Sequence, residues 1–385
     1  MMRPKTKNNQ EESPFIKLKN LDAQKFIYLI KKQFGTKFII EYKYNFIKER
    51  DKILIPLNQK SIKEVKYFLE GSKLIDYEIV YREAIKNPKF KYKTIEDVLQ
   101  EEVPKWPSNL IPKSYDIIGS IAIVEFPNLV SLSNKEKIIF KKDVAKAITI
   151  VNKSIDTVYE KASQIKGKYR LRNLQLLYGI DDPETIHKEN YAIFKINVKK
   201  AYFTPRLVTE RKRIAESPII KGELIVDMFA GVGPFSIQIA KKHDVQIYAF
   251  DVNLDAYKYL KENIRLNRVE SKIFPYNIDA KIFLQSDNKL ANSLKGKVDR
   301  IIMNLPEKSL DFLEIACYLI KKRGGIIHNY QFCTKPNPSK LAIERFGQIL
   351  TQCKYEIKEI IHVNTVKSYS PISDLISLDV EVISK

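Results

Sequence analysis

The sequence predicts an α/β fold, with a mostly parallel, seven-stranded, doubly wound sheet in its C-terminal half and two smaller α+β modules before it. Three observations predict it. From residue 189 onward, short apolar stretches alternate with amphipathic ones of roughly ten to fifteen residues, the pattern of strands and helices in a parallel sheet. The chain then closes on two strand-like runs around Pro371, an antiparallel ending to that sheet. Its 385 residues suffice for two or three cores. The division we expect is 1–85, 86–188 and 189–385.

The elements follow in order. Residues 1–14 are polar and expected to fray. PFIKLKN reads as a strand, and DAQKFIYLIKKQF has apolar residues at helical spacing after Asp22, a candidate N-cap. KFIIEYKYNFIKERDKILIPL supplies two strand-like stretches, which makes a β-α-β-β unit. EVKYFLE and the strand-like LIDYEIVY extend it to about residue 85. REAIKNPKFKYKT is charged and reads as a linker. In the middle, YDIIGSIAIVEFP is a strand pair around Gly119, NKEKIIFKKDVAKAITIVN an amphipathic helix and SIDTVYEKA a strand. From 189, NYAIFKINVKKAYF alternates like a strand. TPRLVTERKRIAES is helical, with Thr204 as N-cap and Pro205 at the first position. ELIVDMFAG, QIYAFDVN, KIFPYNIDA, VDRIIMNLP and GGIIHNYQF read as strands. PFSIQIAKKH, DAYKYLKENIRLN and LDFLEIACYLIKK read as the helices between them.

Composition narrows the function. Hydrophobic residues make up 44% and charged residues 29%, an ordinary globular balance. The net charge is +21, of which +14 falls in residues 1–200, so a polyanion is the expected partner, nucleic acid before membrane. The longest uncharged run, Met228–Ala240, is too short to span a bilayer, and no apolar stretch follows the basic N-terminus as a secretory signal requires. Cys317, Cys333 and Cys353 lack CxxC spacing, and the four histidines are scattered. That is neither a disulfide framework nor a zinc module, and no metal site is expected. A cytosolic compartment fits.

The sharpest motif is Asp227-Met-Phe229-Ala-Gly231-Val-Gly233, placed where a strand meets a helix and an α/β sheet binds its nucleotide-like ligand. It is not GxGxxG and lacks GK[ST], so a phosphate cradle suits it poorly. Asp251, twenty residues after Gly231, ends the next strand and can accept ribose hydroxyls; Asp279 ends the third and can accept from an adenine amine. Acids at three successive strand ends suit a cationic adenosine ligand, S-adenosylmethionine. A dinucleotide-binding or ligand-free sheet of the same type is the alternative. The fourth strand ends in Asn304-Leu305-Pro306, where an amide can both donate and accept. Arg206, Glu210 and Arg213 fall on one helix face, which suits either a solvated salt-bridged surface or a carboxylate held between cations. Lys161, Lys166, Lys168, Arg170 and Arg172 give five bases without an acid, with Tyr169 and Tyr178 interleaved. This composition suits RNA or a plain basic loop.

Taken together, PKSYDIIGSIAIVEFP, GKYRLRNLQLLYG, AYFTPRLVTERKRIAE, VDMFAGVGPFSI, IYAFDVN, NLPEKS and VKSYSP, in that order, resemble the archaeal and eukaryotic tRNA guanine-37 N1-methyltransferase family over about 90–385. The resemblance implies a Rossmann-like class I methyltransferase domain using S-adenosylmethionine. It implies Glu210 as general base for N1 of guanine, Arg170 as the group stabilising charge on O6, with Arg172 two residues on, and Asn304 as a guanine contact. Asp227, Phe229, Gly231 and Gly233 would hold the methionine part, Asp251 and Val252 the ribose side, and Asp279 and Ala280 the adenine edge. Tyr202 and Arg206 would shape the pocket or grip the nucleotide, and Asn304 and Pro306 would also adjoin the cofactor. Glu307 departs from the lysine or similar residue expected after NLP. The implied partner is tRNA, met at its anticodon stem-loop and, by the first domain, at its outer corner; a monomer is expected. A wyosine-pathway relative acting on a tricyclic guanine derivative, or transferring the aminocarboxypropyl arm, shares these residues. The reading from another class is an RNA-binding protein that kept the shell without catalysis.

Overall fold

The structure, a computed structural model, describes residues 12–35, 39–72, 75–103, 105–163, 167–284 and 288–385. The chain divides into two units, Met1–Thr94 and Ile95–Lys385. In the first, β1 (Glu12–Lys19), α1 (Ala23–Phe34), β2 (Ile47–Glu49), β3 (Lys52–Pro56), α2 (Ile62–Ser72) and β4 (Tyr77–Glu83) follow in sequence. The strands form an antiparallel sheet in the order β2-β3-β1-β4. Ile16, Leu18 and Ile55 of the sheet pack on Phe26 and Ile30 of α1 and on Val65 and Leu69 of α2. The expected β-α-β-β start is present, but residues 12–14 are strand rather than frayed end, because β1 pairs with β4 from Glu12 onward. Residues 1–11, also expected to fray, lie outside the described residues. KFIIEY contributes no strand among its described residues, only the bridge Ile40–Leu57.

The second unit opens with α3 (Ile95–Glu102), β5 (Tyr115–Ile118), β6 (Ile121–Val124), α4 (Asn134–Val151), β7 (Thr157–Lys161) and β8 (Leu174–Tyr178). Their sheet runs β5-β6-β7-β8, with β6 and β7 parallel and α4 crossing between them. Ser133 caps α4 in a reciprocal box with Glu136. A hairpin of β9 (Glu184–Glu189) and β10 (Ala192–Asn197) comes next. Then follow α5 (Val208–Glu216), β11 (Leu224–Asp227), α6 (Pro234–Lys242), β12 (Gln246–Phe250), α7 (Leu254–Leu266), β13 (Ile273–Tyr276), α8 (Lys289–Leu294), β14 (Arg300–Met303), α9 (Leu313–Leu319), β15 (Gly325–Thr334), α10 (Pro338–Gln352), β16 (Tyr355–Ser370) and β17 (Ser373–Ser384).

The last seven strands form one sheet in the order β13-β12-β11-β14-β15-β17-β16, parallel except for the β17 pairings. Its strands bury both faces, as parallel strands covered by helices do: Ile225, Val226, Ile247, Ile301 and Ile302 are closed off from solvent. Strand order reverses between β11 and β14, and the loops after these two strands therefore flank the crevice where such sheets bind ligands. The hairpin is fastened to this body by side chains. Asn263 of α7 and Asn267, which caps its C-terminal end, each both donate to and accept from the backbone of β10, at Lys195 and Ile193. They satisfy strand-edge groups that no neighbouring strand reaches.

Several elements, α3, β8, β9, α8 and α10 among them, lie beyond the sequence reading. β9 buries only Thr185 and Glu189, so it shows no apolar alternation. α8 is only six residues long, with Ala291 and Leu294 buried. α10 does carry the helical signal, with Ala342, Phe346 and Leu350 four apart and buried.

Candidate active site

The loop after β11 is built around two left-handed glycines. Gly231 has φ +56° with open space where a Cβ would stand; the nearest atom is the Tyr202 carbonyl oxygen at 3.9 Å. Gly233 has φ +92°, and a Cβ there would lie 2.6 Å from Leu260 Cδ1. Gly233 thus fixes the turn against α7, and Pro234 starts α6 directly after it. Asp227, the last residue of β11, is buried. Ser236 Oγ donates to its Oδ2 at 2.6 Å, while Oδ1 is buried without a partner. Burial pushes its carboxyl up to about 7. Asp251 follows β12; its two oxygens accept from Gly231 N at 2.7 Å and Asn253 N at 2.8 Å, tying the second strand end to the glycine loop. Burial raises its carboxyl as well, against those two bonds. Phe229 packs edge-on against Phe312, while Val252 and the buried Ala280 directly follow Asp251 and Asp279 in the chain. An orphaned, buried carboxylate oxygen beside a glycine loop is a fitting anchor for an ammonium group, and Asp251 retains lone pairs for hydroxyl donors. The residues present therefore fit S-adenosylmethionine.

A cleft of about 770 Å³ opens next to this loop. Strands β5 to β8, the segment after β7, residues 198–207 ahead of α5, the turn after β14 and β15–β17 line it. Arg170, Arg172, Tyr202, Arg206, Asn304 and Pro306 from the sequence reading all face it. Arg170 sits in the left-handed region at φ +56°, an uncommon place for a side-chain-bearing residue. Its guanidinium lies 4.9 Å over the Tyr202 ring, and its Nε is buried without a partner. Asn304 Oδ1 is likewise buried and unpartnered. Burial and the neighbouring groups thus leave one donor and one acceptor free in the cleft wall.

Glu210 lies apart from that lining. It is 6% exposed, and its carboxylate accepts from Arg213, at 2.8 Å from Nη2, and from the Tyr330 hydroxyl at 3.1 Å. Arg213 reaches on to Asp379, and His328 Nδ1 lies 2.9 Å from the other oxygen of Asp379. Arg300 donates to His328 Nε2. A guanidinium can only donate, so the His328 proton sits on Nδ1, facing Asp379. Burial lowers the His328 pKa and leaves the ring neutral at neutral pH. Burial opposes ionisation of Asp379, but His328 and Arg213 outweigh it and hold its carboxyl well below the usual range; with His328 neutral, Arg213 does this. Burial and then Glu210 push the Tyr330 phenol far up, so it stays a donor.

The structure corrects three expectations. Glu210 is not held between two cations. Arg213 pairs with it, but Arg206 pairs with Asp116 at 2.6 Å, because residues 205–207 form a 3-10 turn that rotates Arg206 off the α5 face. Asp279 does not end a strand: β13 stops at Tyr276, and Asp279 begins a 3-10 turn where Lys281 N and Lys168 Nζ, at 2.7 Å, donate to it. Burial would raise its carboxyl, but Lys168 outweighs that and lowers it. Lys168 is therefore not a free surface base, and Lys166 of the same run lies outside the described residues. Sequence reasoning passed over Asp116, which lines the cleft with Lys161 and Arg206 on it. Its signal was a lone acid inside the apolar run YDIIGSIAIV.

Comparisons with known proteins agree with this geometry. Residues 185–358 match the family described as the TRM5/TYW2 methyltransferase domain, and 95–182 match the TYW2 N-terminal domain. The chain is 36% identical over 340 residues to a tRNA (guanine(37)-N(1))-methyltransferase Trm5b of Pyrococcus abyssi, covering 88% of this chain and 91% of that protein. It is 34% identical to the Methanocaldococcus jannaschii Trm5b, over 89% of each. The crystal structure of P. abyssi Trm5b superposes with a TM-score of 0.68 at 31% identity, over 96% of this chain and 99% of that one. A complex of aTrm5 with tRNALeu gives 0.67 at 28%, over 95% and 99%. With the sheet order, the glycine loop and relatives of this identity on the page, the chain belongs to the TRM5/TYW2 family of S-adenosylmethionine-dependent methyltransferases.

Proposed function

We propose that this chain methylates N1 of guanosine 37 in tRNA. The observation that carries the reading is the cleft beside the glycine loop, in which Arg170 Nε and Asn304 Oδ1 wait, buried and unpartnered, around the Tyr202 ring. Neutral guanine holds a proton on N1, so N1 becomes a nucleophile only when that proton leaves and charge spreads to O6. When bound, S-adenosylmethionine supplies the electrophilic methyl group and its own leaving group. Arg170 offers a fixed positive charge to O6, the kind of pre-aimed donor that acts most strongly where charge develops. Glu210 takes the N1 proton, a step typically worth about 10²–10⁴ in rate. For this its carboxylate exchanges an Arg213 or Tyr330 contact for the base, and ligand-free geometry often loosens or tightens in this way on binding. Asn304 accepts from the guanine edge and Tyr202 bears its face. Asp227 holds the methionine ammonium, Asp251 the ribose, and Asp279 the adenine edge. The base leaves the anticodon-loop stack to reach them. We assign the segment 1–85 to contact with the tRNA body.

The test is nucleoside mass spectrometry after reaction with transcripts that carry G37 or A37. 1-Methylguanosine at G37 alone is expected; equal methylation of both, or of neither, refutes the proposal. The match of residues 95–182 to the TYW2 N-terminal domain favours a second reading, a wyosine-pathway activity at the same position. A mass increase on a tricyclic guanine derivative, or one matching the aminocarboxypropyl arm, would show it.

A further inference from the structure

The turn Gly167-Lys168-Tyr169-Arg170 lies across the cofactor crevice and is fixed on both sides of it. In the large sheet, β13 and β14 flank β12 and β11, the two strands whose ends carry Asp251 and the glycine loop. Asp279 follows β13 and Glu307 follows β14, so these acids stand on opposite flanks of the crevice, three strand spacings or roughly 14 Å apart. Lys168 Nζ donates to Asp279 at 2.7 Å, and Arg170 Nη2 lies 3.6 Å from the Glu307 carboxylate. Between these anchors the turn passes Tyr202. The Arg170 guanidinium covers the Tyr202 ring, and the Tyr202 carbonyl oxygen stands 3.9 Å from where a Cβ on Gly231 would lie. Gly167 and Arg170 are both left-handed, and the backbone closes through Arg170 N donating to Gly167 O at 3.2 Å. Such a turn takes its position from its side-chain anchors.

Asp279 is the carboxylate assigned above to the adenine edge, so the Lys168 bond closes the turn over that end of the crevice. The side chain of Lys168 is 59% exposed and that of Asp279 35%, which makes this a bond that water and salt can open. We infer that Gly167–Arg170 is a latch over the cofactor crevice, fastened by Lys168 to Asp279, and that S-adenosylmethionine enters, and its demethylated product leaves, when this bond opens. Steps of this kind set the turnover of many enzymes. Lys168 is then a positioning residue as well. Arg170 lies two residues on in the same turn, and the closed latch holds its guanidinium at the cleft wall. The effect on Arg170 rests on the guanine reading; the effect on cofactor exchange stands without it.

The experiment measures association and dissociation of S-adenosylmethionine by surface plasmon resonance on the immobilised full chain, for wild type, Lys168→Met and Lys168→Arg, at low and at high salt. A latch slows entry and exit alike. Lys168→Met is therefore expected to raise both rate constants by about two- to fivefold, the worth of one part-exposed ion pair, with Kd within about twofold of wild type. Lys168→Arg keeps a cation for the carboxylate and should restore slow exchange, and salt should speed exchange in wild type but not in Lys168→Met. Faster dissociation alone would make Lys168 a ligand contact, and unchanged rates would make the bond an idle surface pair; either result overturns the inference. Single-turnover methylation of a G37 transcript reads the positioning role: Lys168→Met should slow it about two- to fivefold in the wild-type background and not at all in Arg170→Ala. Equal slowing in both backgrounds would overturn that role. Wild-type protein inactive on G37 would remove the guanine reading and leave the exchange rates to decide the latch.

Discussion

Asp227 should tie both stability and cofactor affinity to pH. Its buried carboxyl titrates near 7, whereas an unfolded aspartate titrates at about 3.9. The folded state therefore binds that proton more tightly than the unfolded one. The stability this contributes is complete below the unfolded value and is lost as the pH rises through about 7. Integrated from pH 5.5 to 8.5, the loss is about 2 kcal/mol. Asp227→Asn keeps the shape and removes the titration. Other groups titrate in both proteins, so the quantity to read is the difference between wild type and variant in urea unfolding of the ligand-free chain at pH 5.5, 7 and 8.5. Cofactor affinity should move the other way. An ammonium against the unpartnered Oδ1 favours the carboxylate, so binding expels the proton, and the apparent Kd for S-adenosylmethionine should fall roughly tenfold between pH 5.5 and 7. Calorimetry in two buffers of different ionisation enthalpy would register the released proton. If wild type and Asp227→Asn run parallel in both measurements, the reasoning about this carboxylate is wrong.

Two further predictions separate residues that look alike. Gly233→Ala should cost about 2–5 kcal/mol in thermal unfolding, from left-handed strain plus a methyl pressed on Leu260 and Ile237, while Gly231→Ala should cost about 1–2 kcal/mol from strain alone and weaken cofactor binding instead; equal stability losses would refute the distinction. Glu210→Gln should lower single-turnover methylation by about 10²–10⁴ with cofactor binding intact, and Tyr330→Phe by only about tenfold or less because it removes one neutral donor from the same carboxylate. Turnover of Glu210→Gln within a few-fold of wild type would exclude it as the base.

The sheet was legible because its strands are buried by helices on both faces and so read as apolar runs, with amphipathic stretches between them. The glycine loop was legible for a related reason: a left-handed turn at a strand end admits few residue types, and Gly231 and Gly233 occupy both positions. What escaped was polar. β9 has the buried face Thr185 and Glu189, with no apolar stripe to announce a strand. The charges of TPRLVTERKR look the same in sequence whether they face water or one another, and periodicity carries no information about which carboxylate each arginine will find. Arg206 went to Asp116, ninety residues away, and Arg213 went to both Glu210 and Asp379.

The polar strand is also what holds the candidate base in place. Arg211 adjoins Glu210 on α5 but points away from it, toward the hairpin, where Glu189 of β9 takes its Nε and Nη2. Gln238 of α6 donates to the same carboxylate at 2.7 Å, and His187 lies 3.4 Å from it. Burial would raise Glu189, but His187 and Arg211 outweigh it and lower its pKa. On its other side, α5 presents Glu210 to Tyr330 of β15 and, through Arg213, to Asp379 of β17. One short helix is thus pinned between the hairpin and the large sheet by charged bonds on both faces. Removing one partner from such a buried pair strands the other, at about 3–5 kcal/mol, far more than the pair itself contributes to folding. The arrangement therefore adds little net stability, while it strongly penalises any rotation of α5 that would misplace Glu210. Helix, hairpin and sheet act together as the holder of one carboxylate.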